Sequence, residues 1–322
     1  MKYLVAGCAG FIASKVVEQL LDAGHEVMGI DNMNDAYDVR LKQWRLGRLL
    51  RSNFIFRQID ITNIEELNFT NEFDAVINLA AWAGVRQSVV NPWIYQQVNC
   101  VGTLNLLEMC RRNGIKKFIL ASTSSLYGHI RMPFNEDDET NNPLSPYAAS
   151  KKAAEVLAFT YHYLYGIDVS IPRYFTVYGP AGRPDMSIFR FIRRIAEGEP
   201  IVVFGDGSQS RDFTFVDDIA RGTIAALTPV GYEIFNLGGD KPIELRAVID
   251  EIAKLTGKSP IIEYRPAHKS DVLATWADIS KADRILGWRP TISIEEGIRR
   301  SVEWYLNNRE FARLIELNDR NE

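Results

Sequence analysis

A tyrosine and a lysine four positions apart, Tyr147 and Lys151, are the first residues in this 322-residue sequence whose types and spacing point to chemistry. On a helix these positions share a face, so the ammonium lies near the phenol. A free tyrosine has a pKa near 10, so action as a base at neutral pH requires lowering it by ~3 units, about 4 kcal/mol. A neighbouring lysine supplies part of that energy, which makes the pair a candidate acid/base.

A cluster of hydroxyl side chains spans residues 122–125, beginning 25 residues before Tyr147. It follows a short apolar run, 118–121, that predicts a strand. A hydroxyl at this strand end, with Thr123 the candidate, could share a substrate proton with the phenol. The alternative is a polar strand end whose hydroxyls bond backbone carbonyls, expected for two of the four.

A glycine turn predicts a dinucleotide site. Gly7 and Gly10 follow the predicted strand 3–6 directly and open a helical pattern, so backbone N–H groups and a helix N-terminus can approach a pyrophosphate. Asp31 ends the second predicted strand and is suited to bind the ribose hydroxyls. Its charge would repel a 2′-phosphate, which favours NAD over NADP. The alternative is a tight turn and a strand-end aspartate without a ligand.

The elements that must hold these residues alternate along the first half of the chain. Buried apolar strands separated by helices predict an α/β fold, a doubly wound parallel (Rossmann) sheet that binds ligands at the carboxyl ends of its strands. The predicted strands are 3–6, 26–30, 54–58, 75–79, 118–121 and 169–173, with a helix at 217–227 and a strand at 234–237 returning to the sheet.

Beyond about Thr176 the alternation loosens, which predicts a smaller mixed α/β C-terminal substrate domain interleaved with the first. We expect a NAD-binding domain of residues 1–175 and 212–240, and a substrate domain of residues 176–211 and 241–322. A helix carrying Phe189, Ile192 and Ile195 and a strand at 212–216 are predicted in this part of the chain. The segments 245–255, 261–264 and 294–306 have a mixed and helical pattern.

Composition argues against several function classes. Lys and Arg number 37 against 41 Asp and Glu, a net charge of −4, which argues against nucleic-acid binding. A basic run at helical spacing is therefore interpreted as a solvated helix face. Three widely spaced cysteines and four scattered histidines predict no metal and a reducing, cytoplasmic location. No run of 18 apolar residues exists, so no membrane partner is expected. The residues of the basic run are Arg40, Lys42, Arg45, Arg48 and Arg51.

Over almost its whole length the sequence resembles the extended short-chain dehydrogenase/reductase family, and within it the nucleotide-sugar epimerases. Segments 37–41, 83–88 and 182–186 look most like the members that epimerise UDP-glucuronate at C4. Ala13 stands where the family pattern has glycine. The motifs that carry the resemblance are the Gly7 turn, Asp31–Asn32, Asp60–Ile61, 78–84, Asn99, Thr123, Tyr147 with Lys151, 173–180, 211–213 and 276–278.

The resemblance implies that Tyr147 removes the proton of the sugar 4-hydroxyl while a hydride passes from C4 to NAD, and that both return to the transient 4-keto sugar. It also implies a homodimer, joined through helices around 103–112 and 150–165. The catalytic residues it implies are Tyr147, Lys151 and Thr123. The cofactor contacts are Gly7, Gly10, Phe11, Ile12, Asp31, Asn32, Asp60, Ile61, Leu79, Ala81, Asn99, Tyr147, Lys151 and Tyr174.

The implied substrate is a UDP-sugar, UDP-glucuronate becoming UDP-galacturonate. Sugar dehydratases of the family carry acidic residues where this chain has Ser124 and Ser125, so dehydration is not expected. A UDP-glucose/UDP-galactose 4-epimerase, a non-catalytic NAD-binding protein and a one-way reductase remain alternatives. For Arg183, a role in holding the carboxylate and a solvated loop position have equal weight. The substrate contacts expected by resemblance are Arg86, Ser124, Ser125, Thr176, Arg183, Arg211 and Asp271, with His268 near the last.

Overall fold

The computed structural model describes residues 1–70, 73–266 and 273–317. Within these ranges no helix has the length and apolar character needed to cross a membrane. The strands are β1 (Lys2–Ala6), β2 (Glu26–Asp31), β3 (Phe54–Gln58), β4 (Ala75–Asn78), β5 (Lys117–Leu120), β6 (Ser122–Thr123), β7 (Asp168–Tyr174), β8 (Thr176–Tyr178), β9 (Ile201–Phe204), β10 (Ser210–Phe215), β11 (Tyr232–Leu237), β12 (Pro242–Glu244) and β13 (Ile262–Arg265).

Helices connect these strands, and a π-helical segment, Gln96–Val101, joins two of the helices. The α-helices are α1 (Phe11–Asp22), α2 (Val39–Arg48), α3 (Val85–Val90), α4 (Pro92–Tyr95), α5 (Gly102–Asn113), α6 (Pro146–Tyr165), α7 (Ser187–Glu197), α8 (Val216–Ala225), α9 (Leu245–Thr256), α10 (Ser280–Leu286), α11 (Ile294–Asn307) and α12 (Arg309–Ala312).

The main sheet is parallel, with strand order β11-β7-β5-β4-β1-β2-β3 and the short β6 beside β7. Strand β1 pairs with β2 on one side and β4 on the other, and Ala6 of β1 lies opposite Ile30 of β2 and Asn78 of β4. The order reverses between β1 and β4, where a doubly wound sheet opens a crevice for a ligand. The predicted fold class is therefore confirmed, and β3 begins and ends where the sequence predicts.

Both faces of the main sheet are covered, because its strands are apolar on both sides. On one face α5 and α6 contribute Leu106 and Ala158 to a core that includes Val76 of β4. On the other, α1 and α8 contribute Leu20 and Ala220. This double burial explains the short, continuous apolar runs in the sequence.

A second group of elements packs around its own core. A three-stranded sheet, β12-β10-β8, and the pair β13–β9 lie with helices α7, α9 and α11, which bury Ile192, Ile249 and Val302 together. Strand β10 spans the predicted domain limit at residues 211 and 212, and pairs with β8 and β12 rather than with the main sheet. The limits of the two domains stay a prediction.

The basic run on α2 is not a uniformly solvated face. Arg40, Arg48 and Arg51 are exposed as expected. Lys42 and Arg45 are only 5% and 3% exposed, so the interpretation is wrong for these two. Both lie on the side of α2 that faces the glycine turn, where polar acceptors compensate for the loss of water around the charges.

We expect Gly29→Ala to destabilise the protein by ~1–3 kcal/mol, because overpacking forces neighbours to shift. A Cβ on Gly29 would lie 2.7 Å from Cys8 Sγ and 2.8 Å from Phe54 Cε2. Gly47→Ala is the control, because no atom beyond the adjoining backbone of α2 lies within 4 Å of its Cβ position. It should stabilise the helix by ~1 kcal/mol. Urea unfolding followed by circular dichroism measures both, and equal midpoints for the two variants would contradict the packing argument.

Candidate active site

The glycine turn after β1 is shaped for a close backbone approach. Gly7 has φ +80°, and a Cβ there would lie 2.8 Å from the Ala80 Cα and N atoms. Its N–H donates to the Ile30 carbonyl at 2.7 Å. Gly10 precedes α1, whose N-terminus has no side-chain cap. Uncapped N–H groups and the helix dipole favour a phosphate at this position, so the turn fits the pyrophosphate of NAD.

Asp31 ends β2 beside this turn and helps to hold its shape. Its carboxylate accepts hydrogen bonds from the Ala9 N–H at 3.2 Å and the Met33 N–H at 2.8 Å. The Lys42 ammonium lies 3.4 Å from Asp31 and donates to Asn34 at 2.9 Å. Sequence reasoning missed Lys42 as a residue of the site, although its place in the basic run was noted.

Asn32 and Asp60 bring the ends of β2 and β3 together. The Asn32 amide donates to the Asp60 carboxylate at 2.9 Å. Burial alone would raise the pKa of Asp60, but hydrogen bonds from Asn32 and Thr62 lower it below its usual range. The Asp60 carboxylate is therefore charged at neutral pH and forms a polar wall of the site.

One cavity of about 360 Å³ runs from the glycine turn past the end of β6 to α6. It brings most of the sequence-predicted residues together, along with Tyr37 and Lys42, neither of which the sequence analysis predicts as a site residue. The predicted residues that line it are Gly7, Gly10, Phe11, Ile12, Asp31, Asn32, Asp60, Ile61, Leu79, Ala81, Thr123, Ser124, Ser125, Tyr147, Lys151, Tyr174, Thr176 and Arg183.

Tyr147 and Lys151 stand one helical turn apart near the start of α6. The Ser145 hydroxyl caps this helix by accepting the Ala148 N–H at 3.2 Å. Burial raises the pKa of Tyr147, while a hydrogen bond with Thr123 and the charge of Arg183 lower it in part. Burial also lowers the pKa of Lys151, to about 8, against the opposing effect of Glu155. Lys151 thus remains mostly protonated at neutral pH and lines the same cavity as the Tyr147 phenol.

The hydroxyl cluster at the end of β6 uses side-chain partners. The Ser125 N–H donates to Thr123 Oγ1 at 3.1 Å, and the two hydroxyls lie 3.2 Å apart. The Ser122 hydroxyl donates to a Glu155 carboxylate oxygen at 2.6 Å. Ser122 and Thr123 therefore do not follow the alternative of bonding backbone carbonyls. Thr123, Ser124 and Ser125 face the cavity beside Tyr147.

A buried ion pair lies under α6. Arg173 of β7 donates to both carboxylate oxygens of Glu155, at 3.0 and 2.8 Å, and to the Tyr127 hydroxyl at 2.9 Å. The Arg173 and Glu155 side chains are 1% and 2% exposed. Because Glu155 also accepts from Ser122, this pair connects α6, β6 and β7.

Arg183 is not a solvated loop residue. Its guanidinium lines the cavity, forms an ion pair with Asp185 at 2.5 Å and donates to the Ala83 carbonyl at 3.3 Å. The pair with Asp185 offsets its positive charge. Even so, Arg183 lies close enough to Tyr147 to lower the pKa of that phenol.

Three predicted site residues within the described ranges do not line the cavity. Asn99 uses its amide within the protein, with Trp82 N–H and carbonyl at 2.9 and 3.0 Å and with Ser150 at 2.9 Å. Arg86 lies over the Phe204 ring at 4.1 Å, and Arg211 donates to the Ser210 carbonyl at 2.8 Å. Asp271 falls outside the described residues, as does His268. Tyr174 lines the cavity with its ring, while its hydroxyl pairs with Thr223 at 2.8 Å.

Comparison with known proteins agrees with this arrangement. Residues 3–238 match the model of the NAD dependent epimerase/dehydratase family. The chain belongs to this family. A protein named UDP-glucuronate 4-epimerase from Thermodesulfobacterium geofontis is 58% identical over 320 residues, 98% of this chain and 99% of that protein. This family uses NAD, which the glycine turn and Asp31 fit.

Solved structures of other family members share the fold. The UDP-glucuronic acid 4-epimerase of Bacillus cereus, in complex with UDP-glucuronic acid and NAD, is 38% identical, with a TM-score of 0.90 over 95% of this chain and 99% of that chain. A UDP-glucose 4-epimerase of Thermotoga maritima with UDP-glucose is 32% identical, with a TM-score of 0.85 over 96% and 99%. Epimerases acting on an acidic and on a neutral sugar are thus both similar to this chain.

Glu155→Gln should destabilise the protein by ~3–5 kcal/mol, because it leaves the buried Arg173 charge without its partner. Urea unfolding measures the change in free energy. Glu296→Gln is the matched control, since Glu296 pairs with Arg299 and Arg300 on an exposed helix face where ion pairs contribute little. If Glu155→Gln lowers the free energy of unfolding no more than Glu296→Gln does, the buried pair does not hold α6 in place.

Proposed function

We propose that the chain catalyses the NAD-dependent 4-epimerisation of UDP-glucuronate to UDP-galacturonate. The observation that carries the proposal is that Tyr147, Lys151 and Thr123 face the same cavity as the glycine turn. The 58% identity to a UDP-glucuronate 4-epimerase over nearly the full length supports the choice of substrate. The Bacillus cereus structure with UDP-glucuronic acid supports it further.

In this proposal the turn at Gly7 and Gly10 holds the NAD pyrophosphate, and Asp31 accepts the adenosine ribose hydroxyls. When bound, NAD supplies a hydride acceptor and a positive charge near the phenol. Phe11, Ile12, Leu79, Ala81 and Tyr174 provide the apolar walls of the cavity, and Asn32, Asp60 and Ile61 its edge. Asn99 does not line the cavity and acts indirectly, because its side chain bonds the backbone of Trp82.

Tyr147 is the group that moves the proton in the proposed reaction. It takes the proton of the 4-hydroxyl as C4 loses its hydride, which leaves a 4-keto sugar. After the sugar turns over, the phenol returns the proton to the oxygen as C4 regains hydride on its other face. Thr123 shares the proton by hydrogen bonding, and the Lys151 ammonium stabilises the phenolate.

The carboxylate of the sugar sets a further demand. A 4-keto-glucuronate is a β-keto acid and loses CO₂ when the breaking C–C bond aligns with the carbonyl π system. We propose that Ser124, Ser125, Thr176 and Arg183 hold the carboxylate out of that alignment, since all four line the cavity. The serines also lack the acid/base strength that dehydration needs.

The rest of the UDP-sugar is assigned to Arg86 of α3 and to the C-terminal part of the chain. We propose that Arg86 and Arg211 contact the diphosphate or uridine, as guanidinium groups bind phosphate oxygens in a bidentate way. Asp271 is proposed for the uridine ribose. We also propose a NAD-binding domain of residues 1–175 and 212–240, and a nucleotide-sugar domain of residues 176–211 and 241–322.

A UDP-glucose/UDP-galactose 4-epimerase is the second candidate function. Arg183 is already paired with Asp185, which lowers its net attraction for a carboxylate. Hydroxyls at Ser124 and Ser125 can bond a neutral C6 hydroxymethyl group equally well. The similarity to the Thermotoga maritima enzyme keeps this candidate open.

We expect the protein to convert UDP-glucuronate to UDP-galacturonate without net NADH formation, and Tyr147→Phe to lower kcat by at least about a thousandfold because the proton acceptor is lost. Chromatographic separation of the sugar nucleotides measures turnover. NAD content of the purified variant, measured after heat release, should match the parent.

Parallel incubation with UDP-glucose provides the control for the substrate. Turnover of only the neutral sugar would favour the second candidate. Steady NADH formation or consumption would identify a one-way oxidoreductase. No turnover by parent protein that carries NAD would favour a non-catalytic NAD-binding protein.

We also propose a homodimer through α5 and α6. Val156, Phe159 and Tyr163 lie three and four positions apart on α6 and form an exposed apolar stripe, with Tyr163 77% exposed. Large exposed apolar patches mark interaction surfaces. The reducing compartment predicted from the three cysteines supports a cytoplasmic location.

Replacing Val156 and Tyr163 together by glutamate should convert the dimer to a monomer, because burying two carboxylates in an apolar contact is costly. Light scattering should change from about twice the 36.5 kDa chain mass to that mass. Leu50→Glu is the control, since Leu50 is also exposed but follows α2. A parent protein that already has the monomer mass would reject the dimer.

A further inference from the structure

Arg45 on α2 is buried and bonds to neutral acceptors from three parts of the chain. Its Nε and Nη2 groups donate to the Ala181 carbonyl at 3.1 and 2.7 Å, and Nη2 also to the Gly182 carbonyl at 3.2 Å. Nη1 donates to the Tyr37 hydroxyl at 2.7 Å and the Ala9 carbonyl at 3.3 Å. All five N–H groups of the guanidinium are thus accounted for. A buried side chain with this many directed bonds fixes the segments it contacts.

The Ala181 backbone is the strained part of this contact. Ala181 has φ +50°, a left-handed conformation that residues with a Cβ rarely adopt. Such strain persists only where the surroundings determine it, and two N–H groups of Arg45 hold this carbonyl. Two residues later Arg183 enters the cavity and reaches Asp185 and Ala83. The turn at Ala181 therefore sets where the Arg183 guanidinium lies.

The opposite side of the same guanidinium reaches the glycine turn. The Ala9 carbonyl accepts from Arg45, while the Ala9 N–H donates to Asp31 at 3.2 Å. Ala9 is therefore held by two residues, Asp31 and Arg45. Its bond to Arg45 is longer than either bond from Arg45 to the Ala181 carbonyl. Loss of Arg45 should disturb the Ala181 turn more than the glycine turn.

We propose that Arg45 is a positioning residue, which places Arg183 in the sugar end of the cavity by holding Ala181 in a left-handed turn. It also ties that turn to the segment proposed to hold the cofactor. The inference deepens the proposed function and rests on it for its kinetic readout. Arg45 itself touches no reacting atom.

Arg45→Lys tests the inference. A lysine keeps the charge but has three donors on one atom, so it cannot span the carbonyls of Ala181, Gly182 and Ala9. We expect kcat/KM for UDP-glucuronate to fall about 10- to 100-fold, the cost of a misplaced substrate-holding group. Affinity for NAD, measured by calorimetry on cofactor-stripped protein, should stay within about threefold. Arg48→Lys, on the exposed side of α2, is the matched control and should behave like the parent.

Adding Ala181→Gly separates positioning from general stability. Glycine adopts φ +50° without steric cost, so the double variant should recover about tenfold of the lost kcat/KM. Ala181→Gly alone should keep the parent kcat/KM. Amide hydrogen exchange of residues 179–186 tests the same turn without any substrate. We expect the exchange to be faster in Arg45→Lys than in the parent, and slower again in the double variant.

Parent-like kcat/KM and hydrogen exchange in Arg45→Lys would overturn the inference, and so would a loss that Ala181→Gly does not recover. If Arg45→Lys fails to fold, Ala181→Val strains the same turn with the guanidinium in place, and parent kinetics in that variant would also overturn it. If the parent does not epimerise UDP-glucuronate, the proposed function fails. Hydrogen exchange then still decides whether Arg45 holds the turn.

Discussion

The buried ion pair between Arg173 and Glu155 is the interaction on which the positions of Tyr147 and Lys151 depend. It joins α6 to β7, the strand beside the edge strand β11 of the main sheet, and Ser122 adds β6 through the same carboxylate. Two buried charges are stable only when their remaining hydrogen-bonding groups are satisfied, as the bonds to Ser122 and Tyr127 achieve here. Lys151 lies one helical turn before Glu155. The positions of Tyr147 and Lys151 therefore follow from a polar contact inside the core.

Burial opposes the charges that this site uses. It raises the pKa of Tyr147 and lowers that of Lys151 to about 8, so the same apolar surroundings that exclude water disfavour both phenolate and ammonium. Thr123, Arg183 and Glu155 act in the opposite direction. The site is thus a balance in which a few polar contacts keep buried groups close to the charge states that proton transfer requires.

The second group of elements shapes the cavity through α2 as well as through its own side chains. Trp44 of α2 packs edge-on against Trp304 of α11 at 5.3 Å, and Arg40 bonds the Leu314 carbonyl at 2.6 Å. This outer contact holds α2 in place while Lys42 and Arg45 face inward. Packing of the chain's C-terminal part is therefore transmitted to the cofactor end of the cavity by one short helix.

The sequence by itself determined the local features: the glycine turn at Gly7, the carboxylate at Asp31 and the Tyr147 and Lys151 spacing depend only on residues near in the chain, and apolar runs fixed the sheet. Only the tertiary structure decided that Asn99 bonds Trp82, that Arg183 pairs with Asp185, and that Lys42 and Arg45 are buried. The physical reason is that the spacing of charged residues on a helix shows which of them share a face, but not which segments of the chain pack against that face. For Arg45 the covering segments lie up to 137 residues away, and the backbone carbonyl groups that accept its hydrogen bonds cannot be recognised from residue types.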